Sequence, residues 1–323
     1  MEKMLRWGIL GTGMIARKFA GEVGGAFPDC LVATGSRRLK SAESFAQEFG
    51  GTGIDSYEAV LKTPGVEAVY IALPNGLHHE WGIRAMEAGK HVLCEKPIAC
   101  NAREAVEMFE VAKRTGRTLV EAFMYRTHPA IRDLVRRVRG GELGEIRLIR
   151  SNFSFSREIA PKDARYHQDQ AGGGLMDVGC YCTNFCRALA GGEPTEATAV
   201  AHLHGNGVDD YAAGLLRFGD ATLATFTCGM TVKSDWSTHV AGTLGQIHIE
   251  SPWFTDGRYT IVRPQGVDVV EFPADKDPYA MEAEAFAAAA RGEAEPWITA
   301  QDTQGNMRVL DQLRNSAGVP FPA

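Results

Sequence analysis

The stretch GILGTGMIA, residues 8–16, decides the reading of the fold. Its spacing is G-x-G-x-x-A, with Gly11, Gly13 and Ala16 at the small-residue positions. One glycine makes a tight turn from strand to helix, and the second lets the backbone approach a pyrophosphate. The third position needs only a residue small enough for close helix–strand packing. Phosphates then rest on the helix N-terminus, where free N–H groups and the dipole favour negative charge. A lone G-x-G-x-x-A is weak evidence, but here it follows an apolar strand, LRWGIL, and opens a helical pattern.

Working outward, residues 5–120 alternate apolar runs with amphipathic ones. CLVATGS leads into SAESFAQEF, AVYIAL into HHEWGIRAMEAG, HVLCEKP into NAREAVEMFEVAKRTG, and TLVEAF closes the series. Apolar strands alternating with helices indicate βαβ units and a parallel sheet covered on both faces. This predicts an α/β chain whose doubly wound dinucleotide-binding domain spans residues 1–124. Beyond it the pattern changes to a helix at 129–139, the long strand EIRLIRSNFSFS and a series of strand-like runs from EATAVAHLH to VDVVEF. Two helices follow, near 279–290 and 301–316. Residues 125–323 therefore read as an α+β domain on a large, mostly antiparallel open sheet.

Composition narrows the classes. The chain has 323 residues and a formal net charge of −6, which argues against nucleic acid or an anionic membrane surface as partner. No apolar run approaches the ~20 residues needed to span a bilayer. MEKMLRWGIL lacks a signal-peptide pattern, and seven dispersed cysteines without a CxxC pair read as reduced thiols, so a cytoplasmic location is expected.

The second strand bears on cofactor choice. An NAD site usually carries an acid there for the ribose hydroxyls. This chain has Ser36, Arg37 and Arg38 instead, a hydroxyl and two guanidinium groups suited to a 2′-phosphate. NADP(H) is the expected cofactor. Ligands of a doubly wound sheet lie beyond the carboxyl ends of its strands, where Leu73, Asn75, His78, Glu95, Lys96 and Pro97 fall. With Gly11, Gly13, Met14 and Ile15 of the first loop, they complete the expected cofactor set of this domain.

AGGGLMDVGCYCTN, residues 171–184, offers a helix with two stripes. Leu175, Val178, Cys182, Phe185 and Leu189 form the apolar one. Asp177, Tyr181 and Asn184 form the other, about 200° away. A solvated face would carry Lys, Glu or Arg. An acid, a phenol and an amide suit a helix covered on both sides, although Asp177 capping the helix and Tyr181 merely packing is an equally plain reading. No metal site is expected, because Cys180 and Cys182 lie on different helix faces and no nearby His completes a set.

GILGTGMIA, EKP at 95–97, EAFMYRTHP at 121–129 and GGGLMDVGCYCTN at 172–184 together resemble the family of glucose–fructose oxidoreductase and inositol dehydrogenase, Gfo/Idh/MocA, over essentially the whole chain. The resemblance implies that Lys96 sits beside the nicotinamide and contacts the reacting hydroxyl. Tyrosine at 181, where the inositol dehydrogenase branch has histidine, is similar to the glucose–fructose oxidoreductase, dimeric dihydrodiol dehydrogenase, xylose dehydrogenase and anhydrofructose reductase branch. It implies Tyr181 as proton donor and acceptor, Lys96 tuning it, and Asp177 orienting the substrate, with Asn184 nearby. A free phenol, with a pKa near 10, needs such a cation to work near neutrality. Arg165 matches a position near the cofactor. The aromatic usually before it is Ala164 here, and Tyr166 is the substitute. Arg126 reaches the nicotinamide edge or forms a salt bridge, and Asp209 of GVDD caps a turn.

The implied activity is hydride exchange with a sugar or sugar-like cyclic polyol, by an aldose 1-dehydrogenase or a ketosugar or anhydrosugar reductase. A trans-dihydrodiol dehydrogenase, an enzyme with tightly bound recycled cofactor and a non-catalytic NADP sensor are the alternatives. The family also implies a homodimer or homotetramer through the C-terminal sheet.

Overall fold

The computed structural model describes residues 4–158, 160, 163–273 and 276–322. The first three residues of the stretch read for a signal pattern lie outside them. The first series of elements is β1 (Trp7–Leu10), α1 (Met14–Ala26), β2 (Leu31–Gly35), α2 (Leu39–Phe49), β3 (Thr52–Ile54), α3 (Tyr57–Lys62), β4 (Ala68–Ile71), α4 (His78–Glu87), β5 (His91–Glu95), α5 (Ala102–Thr115) and β6 (Leu119–Ala122). Their strands form one parallel sheet in the order β3-β2-β1-β4-β5-β6, the doubly wound arrangement the alternation predicts. Every residue of β1, β4 and β6 is buried, as apolar strands covered on both faces should be. Phe19 of α1 stacks on Tyr70 of β4 with centroids 3.7 Å apart, and Trp7 of β1 meets Phe19 edge-on at 5.3 Å. The two short elements β3 and α3 have no counterpart in the sequence reading, because three and six residues carry too little periodicity to register.

The second series is α6 (Pro129–Arg139), β7 (Ile146–Ser154), α7 (Cys180–Ala190), β8 (Glu196–Leu203), β9 (Asp209–Phe218), β10 (Thr222–Gly229), β11 (Thr238–Gly242), β12 (Gln246–Ile249), β13 (Arg258–Arg263) and β14 (Gly266–Glu271). These strands form one sheet, β14-β13-β12-β11-β7-β10-β9-β8. Its pairs are antiparallel except β7 with β10, which run parallel with Phe226 opposite Ser151. α7 packs on β7 and β10 and is buried along its length except at Ala190. That accounts for a helix with no charged outer face.

α8 (Pro278–Ala290) and α9 (Ala300–Ala317) complete the chain. Here the expected boundary needs correction. The second unit opens at Tyr125, but residues 276–303 pack with the first unit, and 100–102 with the second. The reason is apolar: Phe286 of α8 is fully buried with its ring 5.3 Å from that of Trp7. An Ala-rich helix carries no mark of which core it will join.

Candidate active site

In the first unit the β1–α1 turn is shaped by its glycines. Gly11 has φ +108°, and a Cβ there would lie 2.4 Å from the Ala72 carbonyl oxygen, so only glycine fits. A Cβ on Gly13 would meet nothing within 4 Å, which leaves open space above an exposed backbone. Gly13 is the N-cap of α1; no side chain caps it, and no acid stands in the first turn. Those free N–H groups fit a pyrophosphate. Met14 is 58% exposed beside the turn and Ile15 half-buried. At the end of β2, Ser36 is buried and its Oγ accepts from the Arg38 amide at 3.4 Å. Arg37, lying against the Tyr57 phenol, and Arg38 both reach solvent.

The β4 and β5 ends are locked to each other. His78 is fully buried, with Nδ1 2.8 Å from the Pro97 carbonyl and Nε2 2.8 Å from that of Leu73. Burial holds its pKa down, backed by the nearby Lys96 ammonium, against the opposing pull of the two carbonyls. His78, expected among the cofactor contacts, thus sits between the Leu73 and Pro97 carbonyls, where a neutral ring has one N–H to donate to one of them. Glu95 turns inward too, accepting from the Tyr70 hydroxyl and, at 3.3 Å, from the Lys96 amide. Lys96 and Asn75 stay half-buried. Sequence reasoning missed Glu282 of α8, which is fully buried with both carboxyl oxygens unpaired among the described residues. Desolvation, then the charge of Glu95, pushes its pKa well up.

In the second unit the GGG stretch does not open an ordinary α-helix. Leu175–Gly179 form a π-helical turn that passes into α7 at Cys180. Such turns cluster at functional sites. Asp177 lies in it, one turn ahead of Tyr181. The Asp177 carboxylate pairs with Arg165, Nε to Oδ2 3.1 Å, and Arg165 also pairs with Asp163 at 3.1 Å. The Asp177 charge, ahead of Asp163, raises the Arg165 pKa against its desolvation. This pairing was not visible in the sequence. Tyr166, the aromatic that follows Arg165, is buried with Val208 and Met230 in a small cluster.

Tyr181 is 6% exposed within an aromatic box. Its ring centroid lies 5.2 Å from Phe153, 5.6 Å from Trp253 and 5.7 Å from Tyr125. Asn184 is fully buried, and its Oδ1 accepts from the Tyr125 hydroxyl at 2.6 Å and from Arg126 Nη1 at 2.9 Å. Asn184 therefore ties α7 to the 124–127 turn. The seven cysteines are all buried thiols. Cys180 Sγ is 3.4 Å from the Asp177 carbonyl oxygen, and Cys182 Sγ is 3.8 Å from that of Thr227. Among the described residues no three His, Cys, Asp or Glu groups are placed to share an ion.

Residues 5–123 match an oxidoreductase family with an NAD-binding Rossmann fold, and residues 131–248 match the GFO/IDH/MocA C-terminal domain. The chain belongs to the Gfo/Idh/MocA oxidoreductase family. Relatives similar to this Gfo/Idh/MocA chain include a trans-1,2-dihydrobenzene-1,2-diol dehydrogenase from Mus musculus, 37% identical over 77% of this chain and 75% of that protein. Another is a D-xylose 1-dehydrogenase (NADP(+)) from Haloferax volcanii, 33% identical over 97% of each. Among solved structures, a 3-ketoreductase from Actinomadura kijaniata in complex with NADP and TDP-benzene superposes with a TM-score of 0.88 at 30% identity, covering 97% of this chain and 98% of that one. An aldose–aldose oxidoreductase from Caulobacter crescentus shares the fold at 24% identity and a TM-score of 0.90, over 98% of each chain.

Proposed function

We propose that this chain is an NADP(H)-dependent oxidoreductase acting on a hydroxyl- or carbonyl-bearing carbon of a sugar or sugar-like cyclic polyol, as an aldose 1-dehydrogenase or a ketosugar or anhydrosugar reductase. The observation that carries the reading is the junction of the π turn and α7, which holds a carboxylate and a phenol one turn apart. The end of β2, a buried hydroxyl followed by two solvent-reaching guanidinium groups, supports the phosphorylated dinucleotide, as does NADP in the names of two relatives. When bound, the cofactor gives or accepts the hydride.

In this reading Tyr181 moves the proton of the substrate oxygen, and Lys96 polarises that oxygen and favours the phenolate. Asp177, paired with Arg165, orients the substrate. Asn184, tied to Tyr125 and Arg126, keeps this end of α7 in register. His78 and Glu95 hold the segment that presents Lys96. A positioned acid–base group of this kind contributes about 10²–10⁴-fold in rate.

A second substrate, a trans-dihydrodiol, is favoured by the aromatic surroundings of Tyr181 and by the similarity to a dihydrodiol dehydrogenase. The deciding experiment is a screen at 340 nm, with NADP⁺ over aldoses, polyols and trans-dihydrodiols and with NADPH over ketosugars. Absence of turnover with every class would overturn the enzymatic reading in favour of a sensor.

Exposed apolar residues on the outward face of the C-terminal sheet support a proposed assembly. Val200, Leu215, Leu148, Tyr211 and Leu223 are 74%, 59%, 55%, 43% and 42% exposed on four adjacent strands. A solvated sheet face is ordinarily polar, and contiguous apolar surface marks an interface. A second copy of this chain, in a homodimer or homotetramer, is the proposed cover.

A further inference from the structure

Asp209, the first residue of β9, is buried without being used by the chemistry proposed above. It is fully buried, and its Oδ2 accepts from the Leu175 amide at 2.6 Å. Its Oδ1 has no hydrogen-bond partner among the described residues. That oxygen lies over the glycines: a Cβ on Gly173, where φ is +115°, would come within 2.2 Å of it. A Cβ on Gly174 would stand 3.3 Å from Oδ2. Gly172 is confined from the other side, since its Cβ would lie 2.3 Å from the Arg165 carbonyl oxygen. The three glycines therefore form a strap threaded between the Asp209 carboxyl and the Arg165 backbone.

The strap connects directly to the site. The Gly173 amide donates to the Arg165 carbonyl at 2.8 Å, and the Asp177 amide donates to the Gly173 carbonyl at 2.9 Å. The Arg165 side chain in turn pairs with Asp177. A π turn is a widened, locally unfavourable turn, so something outside the helix must hold it. Asp209 grips its first amide, at Leu175, and blocks the strap from shifting.

We infer that Asp209 is a positioning residue: by closing over Gly172–Gly174 and binding the Leu175 amide, it sets the π turn that holds Asp177 against Arg165 and one turn from Tyr181. This rests on the proposal that Asp177 and Tyr181 serve the reaction.

The test is a double-mutant cycle on the full chain, using whichever substrate the screen identifies. Asp209→Ala should lower kcat about 10–100-fold, the scale of a misplacement near 1 Å, with KM for NADP(H) within about twofold. Asp209→Asn, whose amide oxygen can still accept from Leu175, should restore kcat to within about threefold. In Asp177→Asn the further change Asp209→Ala should cost almost nothing, because Asp209 acts through Asp177. Where the alanine variant does not fold, Asp209→Ser takes its place. Unchanged kcat in Asp209→Ala, losses that multiply in the double variant, or an asparagine variant as impaired as alanine would each overturn the inference. Full turnover in Asp177→Asn and Tyr181→Phe would instead sink the site reading and this inference with it, so the two failures are distinguishable.

Discussion

Asp209 should make the stability of this protein depend on pH in a way that one substitution removes. Burial pushes its carboxyl up from 3.8 to about 6, opposed by the Leu175 amide and by the Arg314 guanidinium of α9. Asp210 beside it adds to the rise, and Cys228 of β10 is a further titratable neighbour. The folded pKa lies above the unfolded one, so between about pH 4 and 6 the native state binds more protons than the unfolded chain. Stability then falls as pH rises through that window, and the loss is complete above it. A shift of about two units at ~1.4 kcal/mol each amounts to about 3 kcal/mol. Asp209→Asn does not titrate, so the variant should gain about 3 kcal/mol relative to the parent between pH 4 and pH 7, whatever its offset at pH 4. Urea unfolding of both proteins at four pH values in that range measures the difference directly. A difference that stays flat across the range would refute the assignment of a raised carboxyl to this position.

Arg37→Ala with Arg38→Ala should weaken NADP(H) binding about 10–100-fold per lost phosphate contact while leaving NAD(H) nearly unaffected; fluorescence titration of both cofactors checks it, and equal loss for the two would point away from the 2′-phosphate. Tyr181→Phe should lower kcat about 10²–10⁴-fold with cofactor affinity kept, read at 340 nm and by titration in parallel. Phe286→Ala should cost about 3–5 kcal/mol, seen as a lower urea midpoint accompanied by altered tryptophan emission from Trp7, because that ring fills the first unit's core. Leu215→Asp, on the exposed sheet face, should reduce the mass measured by light scattering without loss of fold; an unchanged mass would exclude that face as the interface.

Local pattern by itself determined a great deal of this protein. Apolar strands alternating with helices, together with Gly11, Gly13 and Ala16, specified a doubly wound dinucleotide domain, because turn geometry and burial on two faces depend on residues near each other in the chain. The second strand's Ser36, Arg37 and Arg38 and the polar stripe of Asp177, Tyr181 and Asn184 were legible for the same reason. Tertiary structure decided what depends on contacts across the chain. It sent 276–303 to the first unit through Phe286 on Trp7, and it set His78 between two backbone carbonyls. It paired Arg165 with Asp177, occupied Asn184 with Tyr125 and Arg126, and put Asp209 over the glycine strap so that a π turn replaced a regular one. Each of these is an interaction between residues 5 to more than 270 positions apart, or a backbone adjustment such an interaction enforces, and periodicity records only which face a residue occupies, not what it will meet there.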